Sequence, residues 1–396
     1  MNILICTSMD LNLPCAAINR INHYKESLSK YGIKIFISGS KDVDLEGKRY
    51  EIKGNEIYFK KFKKNFFLRE AFGSNLHAGK FYKHNLSKII KELDIRGIII
   101  YSMYSTLLEP IAIAAKKEGI FVVNDGGEKY SVNFKNILNG VNYMQYRAIF
   151  YSFKKLDGLI LCSPRWQKYA ASIRKKSILV PSFISPQKNL ILNNNHNLKK
   201  KFRIVFMGSF IPREMPKRIL KSFQICKSQG YNFELIIIGR QGNNLTQKIY
   251  LSGLQKKLIN NKDLIFTGFI SNTKKDELLQ SADCLVILRP PCKETFHLFP
   301  TRLPEYLNTG KPVILSDVEP FSVFFEHKKE VFFISNKNKS IELANAFIKL
   351  YSDNKLSAYI GSSGKKYAKK FFSYKYLGNK IASFLNELDS LNMKFR

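Results

Sequence analysis

The chain has 396 residues, 45% of them hydrophobic, and its 65 Lys and Arg against 31 Asp and Glu leave a formal charge of +34. That length exceeds what one core commonly organises, so two domains of about 180 residues each are expected, and the apolar content excludes a disordered chain. The charge favours anionic partners such as nucleic acid, acidic lipid headgroups or a phosphate-rich substrate, although abundant Lys, Asn, Ile and Phe also fit a compositional bias without a dedicated partner.

The opening MNILICTSMD lacks a basic leading region and reaches Asp10 before any long apolar run, so it reads as a first strand, not a secretory signal. Short apolar runs then alternate with amphipathic stretches: NILICT, IKIFISG, RGIIIYS, IFVVND and LDGLILCS, separated by segments such as AAINRINHYKESLSKYG and the aromatic-rich run from Asn136 to Lys155. Near-continuous apolar strands between helices are the pattern of a parallel sheet covered on both faces. The most apolar stretch, 97 to 115, is broken by Glu109 and Pro110 and reads as strand, loop and helix instead of a membrane span. Residues 1–184 form one expected domain, and the polar run SPQKNLILNNNHNLKKK marks a linker over 185–202. The alternation restarts over 203–373 with FRIVFMGSF, FELIIIGRQG, LIFTGFI, DCLVIL, PVILSD and EVFFIS. A last helix is expected over 374–396, from the spacing of Leu377, Ile381, Phe384, Leu385 and Leu388; it can pack on either domain. The fold class is therefore α/β, two doubly wound Rossmann-like domains, with ligand chemistry at the carboxyl ends of their strands. Six scattered cysteines without CxxC pairs or a His cluster fit a reduced, metal-free cytoplasmic protein.

Residues 299 to 314, FPTRLPEYLNTGKPVI, carry a short helix from about Arg302 to Asn308, with Thr301 as its cap and Glu305 in its first turn, before a Gly310-Lys311-Pro312 turn and a buried strand. Together with GSFIPREMPKRILKSF, ELIIIGRQG and LIFTGFISNTKKDELLQSADCLVIL, this segment resembles, in order and spacing, the donor-binding domain of family-4 glycosyltransferases. These are retaining, nucleotide-sugar-dependent enzymes of the two-Rossmann GT-B fold, and the resemblance covers roughly 203 to 390; AAINRI, IFVVNDGGE and LDGLILCSPRW match more loosely. It implies that Glu305 accepts hydrogen bonds from the donor ribose. A carboxylate suits a vicinal diol, and the helix start would offer free N–H groups to the diphosphate. Many relatives carry a second acid eight residues earlier; here that position is His297, which can bond a sugar hydroxyl or a phosphate but not supply negative charge. Arg213 and Lys217 correspond to a cation pair against the diphosphate, with Arg218 as a replacement for Lys217 and Arg302 as a further cation. The nucleobase is expected at the turn containing Gly268 and Phe269.

Such catalysis resembles a front-face displacement with retention, without a protein nucleophile, the leaving diphosphate taking the acceptor's proton. No cofactor and no metal are required by this reading. On the acceptor side, Asp125, Gly126, Gly127 and Glu128 end a first-domain strand; the glycines permit close approach, and Glu128 would orient the acceptor hydroxyl, the acceptor being a saccharide or lipid-linked saccharide. KKFKKNFFLREAF, 60 to 72, combines Lys60, Lys61, Lys63, Lys64 and Arg69 with Phe62, Phe66, Phe67 and Phe72, a pattern that suits either anionic headgroups on the inner face of the cytoplasmic membrane or a buried aromatic edge with solvated lysines. Bacterial surface polysaccharide synthesis is the setting this resemblance implies. Two other classes fit parts of the sequence: a nucleic-acid-binding protein, which the charge favours but no nucleic-acid motif accompanies, and a sugar-nucleotide epimerase, which shares the double-Rossmann architecture.

Overall fold

The structure, a computed structural model, describes residues 1–13, 15–42, 45, 47–62, 70–126, 140–184, 201–208, 211–239, 262–335, 337 and 339–394. The chain forms two compact units: Met1–Phe183 with His297–Phe299 and Ser373–Arg396, and Ile184–Phe296 with Pro300–Phe372. Most of the linker segment, 185–200, lies outside the described residues.

The first unit is built on β1 (Asn2–Asp10), β2 (Lys34–Lys41), β3 (Glu51–Lys53), β4 (Glu56–Lys60), β5 (Ile95–Ile100), β6 (Phe121–Asp125), β7 (Gly158–Leu161) and β8 (Lys176–Leu179). They form one sheet in the order β3-β4-β2-β1-β5-β6-β7-β8, parallel throughout except for the β3–β4 pair. Strands β1, β2, β5, β6 and β7 are the apolar runs expected from sequence. The edge strands β3 and β8 are short and at most half-buried, so their composition carries little apolar signal; β4, between β3 and β2 and buried at Ile57, Tyr58 and Phe59, also lies outside the runs expected from sequence. The final helix, Tyr374–Met393, sends Leu377, Ile381, Phe384, Leu385 and Leu388 into the same core as Ile21, Tyr24 and Leu28 of the helix Ala16–Ser29.

The second unit is a six-stranded parallel sheet: β9 (Phe202–Met207), β10 (Phe233–Ile238), β11 (Leu264–Gly268), β12 (Cys284–Ile287), β13 (Val313–Ser316) and β14 (Phe332–Ile334). Its order is β11-β10-β9-β12-β13-β14, so the direction of winding reverses between β9 and β12. In a doubly wound sheet that reversal opens a crevice outside the carboxyl ends of the two central strands, because their following helices pack on opposite faces. The helix Leu303–Asn308 leads into β13, and its Tyr306 is fully buried, accepting the Met207 N–H at 2.8 Å. That bond anchors the helix to the exit of β9.

Candidate active site

At the reversal of the second sheet, three charged side chains meet. Glu214 closes the 3-10 turn Pro212–Glu214 after β9, Arg289 follows β12, and Arg302 precedes the helix Leu303–Asn308. Arg289 Nη1 lies 2.6 Å from Glu214 Oε2, and Arg302 Nη2 pairs with the same oxygen. Glu214 and Arg289 are buried, and Arg302 nearly so. Burial would raise the Glu214 carboxyl, but Arg302 and Arg289 outweigh it and hold the group below the usual carboxylate range. Arg302 Nε is itself buried without an acceptor. Gly208, directly after β9, is the residue that makes room: a Cβ there would stand 2.9 Å from Arg302 Nη1 and 3.1 Å from Glu214 Oε2. Two guanidiniums against one carboxylate leave a net positive charge out of water, an arrangement that favours an anion.

Sequence reasoning named Arg302 but passed over Glu214 and Arg289. A signal was present for Arg289, since a charge directly after an apolar strand stands at the carboxyl edge of a Rossmann sheet. Glu214, one acid in the basic run PREMPKR, gave none.

Glu305 projects from the same short helix, half-exposed, and its Oε1 pairs with Lys275 of the helix Asn272–Ser281. Burial disfavours the Lys275 charge, yet Glu305 and Asp276 prevail and keep its ammonium above the usual value. Two expectations for this helix are corrected. Its cap is Arg302, without a side-chain capping bond, and not Thr301, which lies exposed just before it. Nor does the helix start present a row of free N–H groups: Leu303 N–H donates to the Pro300 carbonyl at 3.0 Å, and Pro304 has none. Cationic side chains, and not helix amides, dominate the positive field here.

Of the other cations, Arg213 is half-buried and adds, after burial and Arg302, to what holds the Arg289 guanidinium below its usual range, while Lys217 is exposed. Arg218 does not replace Lys217; it is buried and donates to the Ser335 carbonyl and to Glu342 at 3.0 and 3.1 Å, tying helix Pro216–Ser228 to the helix Ser340–Ser352. Gly268 ends β11 at φ +66, and the turn it permits leaves Phe269 81% exposed, so that ring is not part of the core.

In the first unit, Asp125 is 1% exposed and both oxygens are engaged by Arg20, at 2.7 and 3.2 Å, with Tyr24 donating to one at 2.7 Å. Arg20 also donates to the Pro181 and Val180 carbonyls. This buried, fully bonded pair makes Asp125 a group that positions the end of β6 and not an open acceptor contact. Gly126 leaves room there for Met103 Sδ and Asn124 Oδ1, which would stand 2.6 and 2.7 Å from a Cβ. Gly127 and Glu128 lie outside the described residues. His297 packs with the first unit: its ring stands edge-on to Trp166 at 5.1 Å, and its carbonyl accepts from Cys162 Sγ at 3.3 Å. Of the Lys–Phe segment, Lys60 ends β4, Lys61 pairs with Asp10 at 2.9 Å, and 63–69 lie outside the described residues. Among the described residues, no helix is long and apolar enough to cross a membrane, and no three His, Cys, Asp or Glu side chains gather.

Solved structures of similar fold include glycosyltransferases. Sucrose-phosphate synthase of Thermosynechococcus elongatus superposes with a TM-score of 0.73 at 13% identity, over 98% of this chain and 99% of that one. HepE of Anabaena, solved with UDP-glucose, gives 0.66 at 16% identity over 98% and 100%, and WaaG, a glycosyltransferase involved in lipopolysaccharide biosynthesis, 0.68 at 14% over 97% and 99%. The fold is thus GT-B, and residues 188–367 match the family Glycosyl transferases group 1. Fold and domain together define a glycosyltransferase. No curated protein matches the sequence.

Proposed function

We propose that this protein is a retaining, family-4 enzyme that moves a sugar from a nucleotide-sugar donor to a saccharide or lipid-linked saccharide acceptor in the synthesis of a bacterial surface polysaccharide. The observation that carries the reading is the buried Glu214–Arg289–Arg302 cluster at the reversal of the second sheet. Its surplus positive charge suits a diphosphate, and it grows more favourable as the leaving group gains charge, which is what lowers a transition state. Glu305, steadied through Oε1 by Lys275, keeps Oε2 for a ribose hydroxyl, and exposed Phe269 offers a face for the base. The UDP-glucose bound to HepE and the lipopolysaccharide role of WaaG support the donor and acceptor classes. Glu128 orienting the acceptor hydroxyl and His297 contacting the transferred sugar belong to the same reading, as does Arg213 with Lys217 at the phosphates.

The test is a panel of UDP-, GDP-, dTDP- and ADP-sugars with purified protein. At least one is expected to raise the melting temperature and to be slowly hydrolysed. In Glu305→Gln the apparent donor affinity should fall about tenfold with the fold intact, the size expected for a charged hydrogen bond. Stabilisation by no nucleotide sugar, or unchanged donor use in the variant, would count against the assignment.

A further inference from the structure

The helix Gly140–Phe150 and the 3-10 turn Ser152–Lys155 enclose a groove of about 460 Å³ on the first unit, lined by Tyr143, Tyr146, Arg147, Tyr151, Lys154 and Lys155. Its volume falls in the range of small-ligand sites, roughly 300 to 1,000 Å³. Tyr143 and Tyr151 are 47% and 58% exposed, far more than aromatic rings kept for a core, and the Tyr146 and Tyr151 rings stand 6.4 Å apart at 62°. Arg147 is fixed in place: its Nε and Nη2 donate to the two oxygens of Glu109 at 2.8 and 3.0 Å, and Ser152 Oγ donates to the same carboxylate at 3.0 Å. The Arg147 side chain nonetheless remains 45% exposed. Lys154 and Lys155 are exposed, so three cations face one carboxylate and the groove is net positive.

We infer that this groove binds an anionic saccharide, its charge carried by a carboxylate or a phosphate. Aromatic faces set at an angle accept the C–H face of a pyranose ring, the phenol hydroxyls meet its hydroxyls, and a pre-oriented guanidinium with two ammoniums holds the acidic substituent. Phe150, at the end of the same helix, is 43% exposed, but the concave wall sets phenol hydroxyls and cations beside its rings, which suits a ring ligand better than a bilayer. The site would hold an acidic stretch of a glycan chain against the first unit. It goes beyond the glycosyl-transfer reading and stands without it, because binding is measured with no donor present.

The experiment uses the full chain and saturation-transfer NMR with calorimetry, against a uronate hexasaccharide, a phosphorylated mannan fragment and a neutral glucose hexasaccharide. At least one anionic chain is expected to bind, with saturation transferred to its ring protons and affinity falling between about 50 and 300 mM salt. Tyr151→Ala and Lys155→Gln should each weaken binding about fivefold, or roughly 1 kcal/mol, with melting temperature and donor hydrolysis retained. Since the whole chain is basic, a control is needed: Lys366→Gln, Lys369→Gln and Lys370→Gln together, on the second unit, should leave the affinity unchanged. Should Tyr151→Ala fail to fold, Lys155→Gln at an exposed position carries the test. Equal binding of the neutral chain, an equal loss in the control, or no loss in either groove variant overturns the proposal. Binding to phosphatidylglycerol vesicles without binding of either anionic glycan overturns it as well and makes the groove a membrane face.

Discussion

Between Arg289 and Arg302 the Glu214 carboxylate has lost water, and only the two guanidiniums keep it ionised. In Glu214→Gln an amide would stand between two buried cations that then repel. The loss should be about 3 to 5 kcal/mol in denaturant unfolding, the range for breaking a buried pair from one side, together with a fall in donor affinity; a variant as stable as the parent would show that the cluster is open to solvent. The pH dependence has a definite sign. Because the folded value is depressed, the contribution is complete above the unfolded glutamate value of about 4.3 and is lost as pH falls through the folded one. Single residues were unevenly legible. Arg302 and Glu305 stood in a recognisable segment, whereas Arg218 and Asp125 had the right type and place for ligand contacts and are instead engaged within the fold. Sequence cannot tell these cases apart, since they differ only in which neighbour the side chain meets.

The helix Tyr374–Met393 shows what holds an element to its unit. Besides its apolar stripe, Tyr374 donates to Glu26 at 2.8 Å, and His23 Nδ1 lies 2.5 Å from the same hydroxyl, its ring tilted at 33° to Phe183. Burial pulls His23 down to about 4, with Arg20 adding to the shift and Glu26 opposing it. Between that value and the ordinary 6.5 the unfolded chain binds a proton that the folded one does not. Stability should therefore rise with pH across this window and be lost as pH falls from about 6.5 to about 4. In His23→Gln, which can still bond Tyr374, the slope of stability against pH over that range should flatten. An unaltered slope would mean that another group is responsible. The helix itself was legible from its spacing; its docking on Ala16–Ser29 was not, because either domain would have buried the same stripe.

At the scale of the whole chain, the charge of +34 is the feature that composition shows and architecture redistributes. Some cations are buried in ion pairs, as Arg20 and Arg218 are, and others surround the reversal of the second sheet. If Arg289 and Arg302, with Arg213 and Lys217, hold the donor diphosphate, chelation should leave turnover within about twofold, since guanidiniums supply the charge that a divalent cation would otherwise bring. Abolition of turnover by EDTA and its return with Mg²⁺ or Mn²⁺ would assign that role to a metal.

Hydrophobic periodicity alone determined the central parallel strands of two α/β sheets, because a strand buried on both faces must be apolar along its length, and the order of a few loop segments pointed to glycosyl transfer. Which charges face a ligand and which face each other was decided only in three dimensions. Glu214 and Arg289 lie far apart in the chain and meet where the winding of the sheet reverses, and Leu303 and Pro304 remove the amides that a helix start would otherwise present. Ion pairing and hydrogen bonding depend on distances of about 3 Å, and separation along the chain carries no information at that resolution until the sheet order brings the strand ends together.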